Sequence, residues 1–389
     1  MRTLLVSDLH MGSGSGSDVL RVPALRAALL DAVADVERLV LLGDMLELRH
    51  GAPREALAAA GGLFEDLGRA LGDGELILVA GNHDHALVEP WLARRSETAL
   101  GEPLAVEQLL SPQEVSPMAE RLAEWAAPAR VRVAYPGVWV REDVYAMHGH
   151  YLDCHLTVPT LERLSLGVMS RVIGRPAAEF TRADDYEAVS SPVFAWRDAV
   201  SRGTRPGGTL NGMATANAWH ALGGAGKGAA EDPPADRPNG AGRRRRRSPI
   251  ASLRRRALIA AFPAAVAVLN HARIGELSSE ISGEELRRAG LRAMREVAER
   301  LGVADGYVVF GHTHRPGPLP GDDLMEWGRL VNTGSWTYSP IFLTDKPGES
   351  PYWPGTCVLV EDSGPPLVRG LLGDRSHAEL RVLRAQARR

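Results

Sequence analysis

The chain has 389 residues, 44% of them hydrophobic, enough for one large buried core or two smaller ones. Its formal net charge is −3, from 48 acidic against 45 basic residues, which excludes a chain-wide electrostatic footprint for nucleic acid. Cys154 and Cys357 are too few for a disulfide scaffold, and the longest apolar run, 257–269, is interrupted by Pro263 and too short to span a bilayer.

The first strand begins within three residues of Met1, so no secretory leader is expected before it. These features together predict a soluble, cytoplasmic protein. Lys227 and Lys346 are the only lysines, so nearly all positive charge is arginine, a codon bias expected of a GC-rich bacterial genome.

Taken in order, Thr3–Ser7 is a short apolar run that reads as a buried strand, and it ends on Asp8 and His10 before a Gly/Ser loop at 12–17. A helix is expected over 19–34, a second strand over 38–42 ending in Gly43-Asp44, and a helix over 53–71. A third strand, 76–80, runs into Gly81-Asn82-His83-Asp84. This alternation predicts parallel strands with right-handed crossovers. The stretch 103–128 reads as helical and loop-like. Short strands follow at 130–134, 138–141 and 144–147, with turns at Pro136-Gly137 and Glu142-Asp143, and the last strand ends in His148-Gly149-His150.

After His150 the pattern becomes helical, with helices expected at 156–172, 183–200, 211–222, 250–270 and 282–301. Gly, Ala and Pro dominate 223–242, so 223–249 reads as a disordered linker ending in Arg243–Arg247, with three more arginines at 254–256. The strand 307–310 then ends in Gly311-His312-Thr313-His314, and further strands are expected at 330–333, 357–361 and 367–371. The expected organisation is a core of 1–150 and 305–372, a mostly helical insertion or cap at 151–304, and a charged tail at 373–389. No internal repeat is evident. Gly12-x-Gly14-x-Gly16 lacks the dinucleotide spacing, and Gly226-Lys227 is not followed by Ser or Thr, so both phosphate-loop readings fail.

Five apolar runs therefore end in Asp, Asn or His. Strand ends of this kind gather at one rim of an open sheet. The donors are Asp8, His10, Asp44, Asn82, His148, His312 and His314. Seven exceed the four ligands of a single zinc site and suit two ions sharing a carboxylate. Nitrogen and oxygen donors without thiolate favour Mn, Fe or Zn. His83 is left over as a proton donor to a leaving alkoxide, with Glu47 as the carboxylate that would hold it.

The set Asp8-x-His10, Gly43-Asp44, Gly81-Asn82-His83-Asp84, His148 and Gly311-His312-Thr313-His314 resembles the calcineurin-like metallophosphoesterase superfamily, with all five blocks in the expected order. The resemblance covers about 1–150 and 305–372. It implies a four-layer α/β/β/α sandwich with the helical insertion outside it, and a binuclear centre of two divalent metal ions, Mn²⁺ first among them. It implies that Asp8, His10 and His314 bind one metal, that Asn82, His148 and His312 bind the other, and that Asp44 bridges them. His83 would be the general acid or a transition-state stabiliser, and attack would come from a hydroxide bridging the ions. Many relatives carry Asp where this chain has Glu47. Among bacterial groups the chain is similar to small phosphodiesterases and to UDP-diacylglucosamine pyrophosphatases, which often carry Arg at the position of His83. The protein serine/threonine phosphatases carry Glu where this chain has Asp84.

The expected activity is hydrolysis of a phosphodiester, pyrophosphate or phosphomonoester bond in a small-molecule or lipid substrate. Asn82, His150 and Arg315 are the candidate substrate contacts. The alternative for His150 is simple packing, and for Arg315 a surface salt bridge. The Arg243–Arg247 run reads as a solvated edge of the linker, or as a contact for nucleic acid or for anionic lipid headgroups, the last of which would place the protein peripherally at a membrane. The insertion reads as a packed cap or as a groove for an acyl chain. The rival readings are a DNA or RNA nuclease on the same centre and a non-catalytic binding module that has kept the fold.

Overall fold

The computed structural model describes residues 1–98, 102–203, 283–340, 343 and 350–386. The helices expected at 211–222 and 250–270, the linker 223–249 and the arginine runs lie outside the described residues.

Strands β1 (Thr3–Val6), β2 (Arg38–Leu42) and β3 (Glu75–Val79) are parallel neighbours. Helices α1 (Pro23–Ala34) and α2 (Pro53–Leu71) cross between them. The expected helix at 19–34 divides at Val22: a single 3-10 turn covers Val19–Arg21, and Pro23 opens α1. Proline is tolerated at a first helical turn because its missing N–H has no partner there anyway. Helix α2 buries Ala56, Ala60, Leu63, Phe64, Leu67 and Leu71, one apolar stripe at helical spacing, and ends at Gly72, whose φ is +59°.

Strands expected at 130–134 and 138–141 are one strand, β5 (Arg130–Arg141). Its first half pairs in parallel with β3, and its second half pairs antiparallel with β6 (Val144–Met147). Pro136-Gly137 is therefore not a turn. A side chain at Gly137 would collide with Tyr145 and the Ala146 carbonyl, so this glycine serves close strand approach. The stretch expected to be helical and loop-like holds β4 (Glu107–Leu110), antiparallel to β5, then the short helices α4 (Pro112–Val115) and α5 (Pro117–Trp125), after α3 (Glu89–Thr98). Three half-buried residues and one exposed leucine, of mixed polarity, carry too little alternation to announce that strand.

Strands β7 (Tyr307–Phe310) and β8 (Leu330–Asn332) extend one side of the sheet in parallel, and β9 (Thr356–Val360) and β10 (Leu367–Gly370) close the other beside β1. The order is β10-β9-β1-β2-β3-β5-β6-β7-β8, with β4 on β5. The molecule is a mixed α/β protein built on one large mixed sheet.

Alternation along the strands separates two cores. Leu4, Val6, Leu39, Leu41, Leu76 and Leu78 join the helices in one buried cluster. Leu5, Val40, Leu42, Ile77 and Val79 point the other way, into a cluster with Val138, Val140, Val144, Ala146, Val309, Val331, Val358 and Val360. Among the described residues this second core contains no helical side chain.

The insertion opens with a 3-10 turn (His150–Cys154), followed by α6 (Leu161–Val172) and α7 (Ala183–Gly203). Leu156, Leu166, Phe180, Tyr186, Val189 and Phe194 belong to the same buried cluster as the helices of the main sheet. Helix α8 (Gly283–Leu301) lies between the parallel strands β6 and β7 in the chain and buries Ala289, Met294, Val297 and Ala298 in that cluster. Helix α9 (Leu324–Trp327) precedes β8, and the charged tail forms α10 (His377–Gln386), anchored by buried Leu380. No described helix is long and apolar enough to cross a membrane.

Candidate metal centre

The seven expected donors all follow strand ends: Asp8 and His10 after β1, Asp44 after β2, Asn82 after β3, His148 after β6, His312 and His314 after β7. Asp8, His10, Asp44, His312 and His314 have φ between +46° and +66°, and they are all the non-glycine residues with positive φ among those described. Left-handed backbone costs energy for residues with a Cβ and persists where the surroundings hold it. Here the hold is mutual. The Asp8 N–H donates to the Gly43 carbonyl at 3.0 Å, the His10 N–H to the Asp44 carbonyl at 2.8 Å, and the Gly311 N–H to the His148 carbonyl at 2.9 Å. The His312 N–H donates to Asp8 Oδ2 at 3.0 Å and the His83 N–H to Asp44 Oδ1 at 2.8 Å. Glycine is required at 43: φ is +86°, and a Cβ would enter the His148 ring.

The donors form two connected groups. In one, His314 Nε2 lies 3.1 Å from Asp8 Oδ1 and 3.3 Å from His10 Nε2. In the other, Asn82 Oδ1 lies 3.1 Å from His148 Nε2 and 3.2 Å from both Asp44 Oδ2 and His312 Nδ1. Asp44 joins the groups, with Oδ2 3.7 Å from His10 Nε2 and 3.4 Å from His148 Nε2. Asp8-His10-His314, Asp44-His148-His312 and His10-Asp44-His83 are each close enough to hold a metal ion. Asp8 Oδ1 is buried without a well-formed hydrogen bond. Asn82 turns its oxygen on three other acceptor atoms; rotated, its amide would donate to all three and accept from Arg49 Nη1 at 3.0 Å. Lone pairs converging without protons between them are what a cation resolves, so the donor set fits divalent metal.

Each imidazole that turns one nitrogen inward has a partner on the other. His148 Nδ1 donates to the Leu42 carbonyl at 3.0 Å, His10 Nδ1 meets Glu47 Oε2 at 3.1 Å, and His312 Nε2 meets Asp153 Oδ2 at 2.9 Å. His314 Nδ1 lies 3.3 Å from Thr337 Oγ1. Such partners fix the tautomer and keep the inward lone pair available. The carboxylates also make this pocket attractive to positive charge, for which a proton and a metal ion compete. Burial opposes charge on these groups, yet the Asp44 carboxylate raises the His148 pKa to about 9, and Asp8 ahead of Glu47 raises His10 well above its ordinary value. Against the same burial, His314 holds Asp8, and His148 ahead of His83 holds Asp44, below the ordinary carboxylate range.

Glu47 receives His83 Nδ1 at 2.9 Å as well as His10, and the Arg49 N–H at 3.0 Å. His83 keeps 22% of its side chain exposed and its Nε2 lies 4.0 Å from Asp44 Oδ2, so it stands at the mouth of the cluster. Burial, with the Arg49 charge adding to it against the pull of Glu47, lowers its pKa to about 4.

Several contributors escaped the sequence reading. Asp84 accepts from the N–H groups of Gly81, Met45 and Leu46 at 2.7, 2.8 and 3.2 Å, pinning the β2 loop to the β3 loop. Burial and then the Asp44 charge raise its pKa to about 6. Ser7 donates to Asp8 and meets Thr333 Oγ1 at 2.6 Å. Arg49 donates to the Asn82 carbonyl. Only Asp84, inside the Gly81–Asp84 block, carried a local signal.

Two expected substrate contacts are placed differently from the donors. Arg315 forks onto Asp322 at 2.7 and 3.1 Å and lies over the Trp327 ring at 5.6 Å. His150 is 1% exposed, packs 5.5 Å from the His148 ring and 5.5 Å from Phe194, and neither ring nitrogen has a hydrogen-bond partner.

No protein-family model matches the chain, and no curated protein matches it significantly. Among solved structures, a cold-active protein-tyrosine phosphatase of a psychrophile Shewanella species aligns over 93% of this chain and 75% of its own, with 13% identity and a TM-score of 0.28. A similarity of that size carries no argument about fold or activity.

Proposed function

We propose that the protein is a metal-dependent phosphoester hydrolase of the calcineurin-like type, with two divalent cations held between the motif-bearing loops. The observation that carries this reading is the convergence of Asp44 Oδ2, Asn82 Oδ1, His148 Nε2 and His312 Nδ1, joined through Asp44 to the group of Asp8, His10 and His314. The core that holds only strand side chains among the described residues supports the four-layer arrangement: a buried sheet face filled by strand side chains alone is what a second sheet layer supplies, so the sheet would fold along β5 onto itself.

In this reading Asp8, His10 and His314 would hold one ion and Asn82, His148 and His312 the other, with Asp44 available to both. Such a pair supplies a water-derived nucleophile at neutral pH and polarises phosphoryl oxygens. Glu47 would orient His83 so that Nε2 faces the departing oxygen; the charged form of the ring, which Glu47 and Asp44 favour against burial, is the form that can protonate it. Asp84 acts through the backbone by keeping the Asp44 loop in place. Manganese is the first choice of metal for this mixed nitrogen and oxygen set, with iron and zinc next. The nuclease alternative has no observation in its favour among the described residues.

The test is a Mn²⁺-supplemented screen over phosphomonoesters, phosphodiesters, nucleotide-sugar diphosphates and lipid phosphates, alongside Asp44→Asn. Hydrolysis by the wild-type chain and its near-complete loss in Asp44→Asn are expected. Fewer than one bound divalent ion per chain after reconstitution, or an Asp44→Asn variant that keeps most of its rate, sinks the proposal.

A further inference from the structure

We propose that Glu187, on helix α7 of the insertion, is a positioning residue for one of the two metal ions: its buried carboxylate ties together the loops that carry Asn82, His148 and His312. This assignment rests on the phosphoesterase reading and gives the insertion a part in it.

Glu187 is 8% exposed. Tyr135 and Tyr151 donate to its Oε1 at 2.5 and 2.6 Å, and His85 Nε2 donates to its Oε2 at 3.1 Å, beside a bond from Ser191 Oγ. An ionised carboxylate has about four lone-pair sites, so these donors fill it. Tyr135 lies in β5, whose neighbours in the sheet are β3 and β6. His85 follows β3, three residues after Asn82, and Tyr151 follows β6, three residues after His148. One carboxylate therefore links the ends of two strands across the strand between them. His85, Tyr135 and Tyr151 are buried, so water has little access to replace a lost bond.

His312 depends on the same assembly. The 3-10 turn His150–Cys154 carries both Tyr151, which reaches Glu187, and Asp153, which meets His312 Nε2 at 2.9 Å. Other α7 side chains back these loops. Tyr186 stacks on Tyr151 with ring centres 4.6 Å apart, and Phe194 lies 5.2 Å from the His85 ring and 5.5 Å from His150. The donors to the other ion are held differently: His10 turns to Glu47 and His314 to Thr337, and neither partner belongs to the insertion. Glu187 thus distinguishes the two ions, which a residue that only stabilises the fold would not do. Donors fixed in place before binding hold a metal more tightly than donors that binding must first order.

The experiment compares full-length wild type, Glu187→Gln and Tyr151→Phe, with Val33→Ala as a control for stability alone. Val33 is buried at the end of α1 that leads into the start of β2, at the opposite end of the strands from the donors. Stepwise Mn²⁺ binding is measured by competition with a chromophoric chelator, and amide hydrogen exchange is followed in the metal-free chains. Wild type should bind two ions. In Glu187→Gln one binding step should weaken by about tenfold or more while the other stays within about twofold, and Tyr151→Phe should show the same pattern at smaller size. Metal-free Glu187→Gln should exchange faster at 81–85 and 148–154, with 8–17 unchanged. Val33→Ala should melt lower and keep both binding steps. Both steps weakened alike, neither step changed in folded Glu187→Gln, exchange that quickens equally at 8–17, or a Val33→Ala chain that also loses one step selectively overturns the positioning role. If Glu187→Gln does not fold, Tyr151→Phe decides by the same criteria. A wild-type chain that binds fewer than one ion would instead overturn the phosphoesterase reading, and the exchange pattern, read without metal, still tests Glu187.

Discussion

Asp153 offers the sharpest quantitative test of the proposed metal centre, because it acts on one proposed ligand, His312, through one hydrogen bond. Its Oδ2 lies 2.9 Å from His312 Nε2, and the opposite ring nitrogen of His312 lies 3.2 Å from Asn82. The two side chains are 7% and 11% exposed, so water has little access to replace the carboxylate. Asp153 thus fixes the tautomer that leaves Nδ1 free and makes that nitrogen more basic. Loss of such a partner costs about 10- to 100-fold in metal affinity, roughly 1.4–2.7 kcal/mol. Asp153→Asn keeps an acceptor and loses the charge, so it should fall near the lower end; Asp153→Ala leaves a buried N–H unpaired and should fall near the upper. The assay is competition for Mn²⁺ or Zn²⁺ against a chromophoric chelator, with melting of the metal-free variants as a folding control. Affinity unchanged to within about twofold in both variants would refute the reasoning, because His312 would then not depend on its carboxylate.

Further expectations follow from single contacts. Gly43→Ala should destabilise the chain by about 2 kcal/mol or more and weaken metal binding, since the left-handed backbone and the His148 ring both oppose a Cβ; denaturant unfolding reads the first and metal titration the second. Glu187 of α7 receives Tyr135 at 2.5 Å, Tyr151 at 2.6 Å and His85 at 3.1 Å, so Glu187→Ala strands buried donors and should cost about 3–5 kcal/mol in chemical denaturation. Burial alone would raise the Glu187 pKa, but hydrogen bonding and then the charge of His85 bring it down to about 2, against an ordinary 4.5. Its stabilisation is therefore complete above about pH 5 and fades as pH falls through 4.5 toward 2; an unfolding-versus-pH series should show that slope in wild type and a shallower one in Glu187→Gln. Chelation of metal by EDTA should abolish hydrolysis and lower the melting temperature, and Mn²⁺ should restore both; a melting temperature indifferent to metal would count against ions held between five loops.

How much was legible follows the range of the signal. The strands at 38–42, 144–147 and 307–310 and the helix at 53–71 announce themselves through local apolar patterning, and the structure places them there. Pro136-Gly137 misled, because a proline-glycine pair signals a turn only when no neighbouring strand claims the backbone, and β4 and β6 both claim it here. The donor set was visible because Asp, Asn and His beside glycine at successive strand ends form a pattern along one chain. Asp153, three positions after His150, could be read only as a supporting or a surface residue, and Arg49 and Thr333 not at all, because their partners lie far away along the chain.

By itself the sequence determined the periodicities, the strand-end blocks and the residue types able to hold a cation, since these depend on neighbours a few positions apart. Only the tertiary structure decided which atoms face one another: that Glu47 meets both His10 and His83, that Asp153 meets His312 across 159 positions, that Arg315 goes to Asp322, and that an insertion helix brings Phe194 over Arg49. The reason is physical. Hydrogen bonds and ion pairs act over a few ångströms, and positions far apart in sequence reach that range only when the sheet and its two cores bring their loops together.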